Sequence, residues 1–390
     1  MTFLFATAIE NGAPILAGDR RVDQMDRSGH YARWEEDFAL ARSLGVDAVR
    51  YGPAYYRAHL GPDDYDWGAS DEPMRRLCDL GLEVVADLCR VGPPSWLAGF
   101  QDPAFPVLFA EYARAFVRRY RWVRFYAPIH EIFTCALRSG LDGRWNDRGA
   151  DDGAFVRTLR NLCMAHELAV EAILAERPDA VIIQSEALEH FHASGRAALR
   201  EADRWNALKL LALDLTLGHE PAPGMAALLH AHGVTSNDLT FFRERRGVGQ
   251  RWLGAGYGPA SEHRVAATGR RTAARQRVGF RRVATQYWQR YQVPLFHAGT
   301  CHVSRHAGDW LVAQWEDVVA LRGAGVPVHG FTWSPLTDVA DWDRPESLRA
   351  VGLFDAERKE RPAAARYREL IARWRAVVRG GRQLRRGARA

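Results

Sequence analysis

Short apolar runs rich in β-branched and aromatic residues recur along the chain, separated by longer stretches in which apolar residues return every three or four positions. That alternation predicts parallel strands joined by helices. Eight runs read as strands: 3–8, 48–51, 83–88, 124–129, 181–185, 252–257, 294–299 and 330–334. Helical periodicity marks 31–44, 70–80, 106–120, 154–176, 272–291 and 310–324. The largest irregular stretch, roughly 190–251, reads as an insertion between the fifth and sixth strands, with a helix near 205–217. Eight strand-and-helix units predict an α/β fold, a single-domain (β/α)8 TIM barrel. A length of 390 residues suits one such barrel with insertions. The expected organisation is a barrel over 1–376 and a basic tail over 377–390, where Arg residues crowd the last positions.

In such a barrel, chemistry gathers at the carboxyl ends of the strands and in the loops that follow. Read in order, those positions carry Glu10, Tyr51 and Tyr55, Arg90, His130 and Glu131, and Glu186. They continue with Tyr257, Glu262 and His263, then His297 and Cys301, then Trp333, Asp338 and Trp342. Period-two alternation puts His297 on the face of Gly299, towards the barrel mouth. Trp333 and Trp342 read as an apolar platform for a ring.

Composition narrows the function. The net charge of +6 comes almost wholly from Arg, with Lys only at Lys209 and Lys359. No aromatics interleave with the basic C-terminal run, so nucleic acid is not an expected partner. No apolar run approaches the length of a membrane span and the first residues lack a secretory pattern, which predicts a cytoplasmic protein without membrane attachment. Five scattered cysteines, Cys78, Cys89, Cys135, Cys163 and Cys301, lack metal-site spacing and suit reduced thiols. No metal and no cofactor is expected, and the oligomeric state stays open.

Several segments resemble the family 1 glycoside hydrolases, in that family's order. They are 3–10 (FLFATAIE), 33–38 (RWEEDF) with 44–51 (LGVDAVRY), and 330–338 (GFTWSPLTD) followed by Asp341 and Trp342. The run 351–355 (VGLFD) with Arg361 and Pro362 completes the set. The resemblance implies a β-glucosidase-like barrel that binds a small glycoside or sugar-like substrate. It also implies two carboxylates, an acid/base after the fourth strand and a nucleophile after the seventh, held about 5–5.5 Å apart in a retaining enzyme. The segment 127–132 (APIHEI) lies over the acid/base motif, which assigns that role to Glu131 and puts His130 where the family has Asn. The segment 294–301 (PLFHAGTC) lies over the nucleophile motif and places Gly299 at the nucleophile position. Arg90 stands where the family has a sugar-contacting His.

Glycine cannot attack an anomeric carbon, so the double-displacement route is closed as written. With the nearby anion gone and Arg90 at hand, Glu131 is expected to serve as a base rather than an acid. The expected site combines Glu131, His130, His297 and the vacant Gly299 with substrate contacts from Glu10, Arg90, Glu186, Tyr257, Glu262, Trp333 and Trp342. Three functions follow: a glycosidase rescued by another rim carboxylate, a repurposed biosynthetic enzyme with Glu131 as general base, or a non-catalytic glycoside-binding protein.

Overall fold

The computed structural model describes residues 3–342 and 344–387. Eight parallel strands close into a barrel in chain order: β1 Leu4–Ala8, β2 Ala48–Tyr51, β3 Glu83–Cys89, β4 Phe125–Ile129, β5 Val181–Ala187, β6 Gln250–Gly256, β7 Leu295–Thr300 and β8 Val328–Trp333. Pairing of Leu4 with Gly330 and of Ala6 with Ala48 joins β1 to both β8 and β2 and closes the ring. This is the (β/α)8 fold that the alternating pattern predicts. Strands covered on both faces read as nearly unbroken apolar runs, and helices pack outside them.

Local chemistry sets the helices. In Phe105–Arg119, Pro106 sits in the first turn, where its missing N–H costs nothing. Phe105, Phe109, Tyr112, Phe116 and Val117 form its buried stripe. Asp151 caps Asp152–Glu176 by accepting from the Ala154 amide at 2.8 Å. Gly45, at φ +77°, ends His30–Leu44 in the left-handed conformation that glycine adopts freely.

The barrel is filled by side chains from alternate strand positions, among them Leu4, Ala6, Val85, Phe125, Ile183, Trp252, Phe296 and Ala298. Trp252 lies between Phe125 and Phe296, with ring centroids 5.6 and 6.0 Å away. Trp252→Ala should therefore cost about 3–5 kcal/mol, read as a lower urea midpoint with an unchanged slope. Two residues further along β2 and β3, the same inward face carries Arg50 and Asp87 in place of apolar groups.

One expectation needs correction. The helix expected over 272–291 begins at Phe280. Residues Arg271–Ala273 instead pair with Glu262–Val265, which pairs in turn with His190–Ala193 from the insertion. Arg271 to Ala273 bury little of their surface, so no apolar stripe holds that turn as helix. The rest of the insertion is helical, at Leu199–Leu208, Leu211–Thr216, Pro223–Ala231 and Ser236–Glu244. At the other end, the helix Pro362–Gly387 runs through most of the segment expected as a tail. Residues 388–390 lie outside the described residues. Among the described residues no helix is long and apolar enough to cross a membrane, and no cluster of His, Cys, Asp and Glu is arranged to hold a metal ion.

Candidate active site at the barrel mouth

A cavity of about 190 Å³ opens at the carboxyl ends of the strands. That is below the roughly 300 Å³ at which drug-sized pockets begin. Glu10, Arg90, His130, Glu131, Glu186, Tyr257, Gly299 and Trp342 all line it. Most of the candidates named from the sequence therefore meet in one place.

Its floor is a chain of buried charges. Arg50 bridges Glu10 and Asp87, each at 2.5 Å. Arg90 reaches Glu10 at 2.6 Å, and the Ser334 hydroxyl donates to the same carboxylate at 2.7 Å. Burial alone would push the Glu10 carboxyl up, but Arg50 and Arg90 outweigh it and hold it at about 2. Burial likewise opposes ionisation of Asp87, yet His130, Arg50 and Arg90 bring it to about 2. His130, 3.2 Å from Asp87, is lowered by its own burial and by the two arginines. Arg50 and Asp87 lie inside strands that the sequence reveals, yet they are absent from its candidate site. Their signal is a charged residue at an inward position of an apolar strand, which cannot be buried without a partner.

Glu131 stands on the rim of this network, a quarter exposed. Its carboxylate is 3.9 Å from Arg90 and 3.8 Å from His130. Its backbone is left-handed, at φ +54° and ψ +59°, a conformation that costs a non-glycine residue energy and clusters at functional sites. The Glu131 amide donates to the Ser185 carbonyl at 2.7 Å. The next two amides, Ile132 and Phe133, donate to the Glu186 carboxyl at 3.1 and 3.2 Å. Burial, reinforced by Glu131, raises Glu186 to about 8 against the pull of those amides.

Gly299 faces the cavity from the opposite wall. A Cβ built there would meet only Ser334, whose own Cβ would be 3.3 Å away. Cys301 lines the same wall, and burial pushes its thiol up to about 11, so it stays protonated and unreactive. Arg349, from the segment after β8, adds a second cation to the rim, 3.7 Å from Asp341.

Three expected site residues are placed elsewhere. His297 points outward, packed between Phe280 and Phe331 with Nε2 3.3 Å from Gln314, and burial lowers it to about 4. Strand β7 slips in register against both neighbours, so strict alternation fails between His297 and Gly299. Trp333 is fully buried and donates to the Val351 carbonyl. Glu262 is buried with both oxygens occupied by Tyr257 (2.5 Å), His192 (2.6 Å) and the amides of Val278 and Gly279. It braces the small sheet and the Tyr257 hydroxyl and leaves no acceptor for a ligand.

No family model matches the chain. Among curated relatives, β-galactosidases match over a short segment. The β-galactosidase BgaA of a Thermus species is 35% identical over 77 residues, 20% of this chain and 12% of its own length. The β-galactosidase of Thermus thermophilus is 34% identical over 76 residues, 19% and 12% of the two chains. These matches span about an eighth of the curated relatives. Among solved structures, the Thermotoga maritima β-glucosidase in complex with deoxynojirimycin superimposes with a TM-score of 0.81 at 17% identity, covering 95% of this chain and 98% of that one. The family 1 β-glucosidase from the same organism gives 0.80 at 17% identity, over 95% and 97%. The fold is that of a family 1 β-glucosidase. Nearly the whole chain shares this β-glucosidase architecture.

Proposed function

We propose that the barrel mouth binds a β-glycoside or a related sugar-like molecule and acts on it through Glu131. Gly299 stands where a retaining glycosidase carries its nucleophile, so no covalent glycosyl intermediate forms. One observation carries this reading: Glu131 and Gly299 open onto one cavity from facing walls, with unfilled space beside Gly299. The β-glucosidase fold, seen elsewhere with sugar-like inhibitors, supports the ligand class. Within this reading Glu10, Arg90, Glu186, Tyr257 and Trp342 contact the ligand, and His130 flanks Glu131.

Aryl β-glycosides, assayed with and without azide, test the proposal. Azide is small enough to enter the space beside Gly299 and attack in place of a side chain. Nitrophenol release should appear only with azide and vanish in Glu131→Ala. Release without azide, unaffected by Glu131→Ala, would place the chemistry on other residues.

A second reading draws on the Arg90–Glu10 ion pair, which lies across the cavity floor and occupies polar groups that a sugar would need. There Glu131 works as a base on a different hydroxylated molecule. Its mark is no calorimetric binding of deoxynojirimycin together with no nitrophenol release under either condition.

A further inference from the structure

The cavity contains a second carboxyl whose placement relative to Glu131 goes beyond ligand contact. Glu131 follows β4 and Glu186 lies near the end of β5, which are neighbours in the barrel, and both side chains line the cavity. The Ser185–Glu186 segment also fixes the strained backbone at Glu131, since the Ser185 carbonyl and the Glu186 carboxyl take the amides of Glu131, Ile132 and Phe133 in succession. Two carboxyls on adjacent strands stand on one wall.

We infer that Glu131 and Glu186 hold one proton between them and form a one-face acid–base pair, Glu131 removing a proton from the ligand and Glu186 supplying one to it. The inference rests on the reading that Glu131 acts on a ligand bound at the mouth, and it assigns the substrate class as a hydroxylated molecule with a carbonyl. Glu131 takes the proton from the carbon beside the carbonyl, and that C–H pair becomes the new C=C bond. The carbonyl π pair moves onto oxygen, which takes the Glu186 proton, giving an enediol. Proton transfer from Glu131 back to Glu186 resets the pair, with no oxidant or co-reactant.

The surroundings of Glu186 favour this division of labour. Facing it are Glu131, Gln184 on its own strand, Cys135 and Cys163 on the helices Ile132–Ala136 and Asp152–Glu176, and Tyr287 on Phe280–Tyr291. None of these groups is a cation. Glu131 instead has Arg90 and His130 within 4 Å. Burial with no cation at hand keeps Glu186 protonated up to about pH 8.

Infrared difference titration of the ligand-free protein tests the pair directly. Wild type should show a protonated-carboxyl band at pH 7 that fades through about pH 8 and is missing in Glu186→Gln. In Glu131→Gln the neighbouring anion is gone, and the band should fade at lower pH by about one unit. Absence of the band at pH 7, or a titration indifferent to Glu131→Gln, would overturn the inference. The wild-type and Glu131→Gln titrations stand even if Glu186→Gln fails to fold. Since no turnover is measured, silence on aryl glycosides bears on the proposed function and leaves this test intact.

Discussion

Arg50→Met should lower the unfolding free energy by about 3–5 kcal/mol at neutral pH, the usual cost of breaking a buried ion pair from one side. Arg50 is 4% exposed and is the shared partner of Glu10 and Asp87. Its loss leaves two buried carboxylates with only Arg90 and His130 nearby. The pH dependence distinguishes this from a packing defect. In wild type both carboxyls sit at about 2, below the ordinary value near 4. A depressed carboxyl adds stability above its unfolded value, and that stability is lost as pH falls from about 4 to 2. In the variant the orphaned carboxylates instead gain by taking up protons, so the deficit should shrink on going from pH 7 to pH 4. Urea unfolding at both values measures it, and an equal deficit at the two would refute the ion-pair account.

Gly299→Glu should create aryl β-glycoside hydrolysis, raising nitrophenol release by roughly 10²-fold or more over wild type, because a carboxylate nucleophile splits one difficult step into two easier ones. The site tolerates a side chain. Gly299 is absent from the left-handed glycines, and a Cβ at this position would touch only Ser334, where a shift of a few tenths of an ångström suffices. A carboxylate there would face Glu131 across the cavity, restoring the two-walled geometry that a covalent intermediate needs. Gly299→Gln fills the same space without a nucleophile and should leave release at the wild-type level. A folded, inactive Gly299→Glu would mean that the Arg90–Glu10 pair keeps the sugar out, whatever stands on β7.

All eight barrel strands are legible in the sequence, several to within one or two residues. Strands buried on both faces show as apolar runs, and the turns between them carry Gly and Pro. The small sheet of the insertion is not legible, because strands of three or four residues with polar side chains have no periodicity to read. At the site, Glu131, Glu186, Arg90 and Glu10 follow from their places at strand ends. His297 misleads because period-two reasoning assumes an unbroken ladder, and β7 is irregular at that point. Glu262 misleads for another reason: whether a carboxylate is free for a ligand depends on which donors reach it, and Val278, Gly279 and His192 come from distant parts of the chain.

The charge network on the cavity floor also joins the two ends of the molecule. Glu10 follows β1, Arg50 lies on β2, Asp87 on β3, and Ser334 follows β8, so the hydroxyl that completes the network reaches Glu10 only when the first and last quarters of the chain meet. The Tyr367 hydroxyl fastens the same seam from outside, donating to the carbonyls of Ala6 and Phe331. A half-barrel ending after β4 would retain Arg50 with its two carboxylates but lack Ser334 and the Tyr367 clasp. Such a fragment should be less cooperative in unfolding than the full chain, with β1 fraying first in hydrogen exchange. The residues that shape the mouth thereby make the closed barrel an all-or-none assembly.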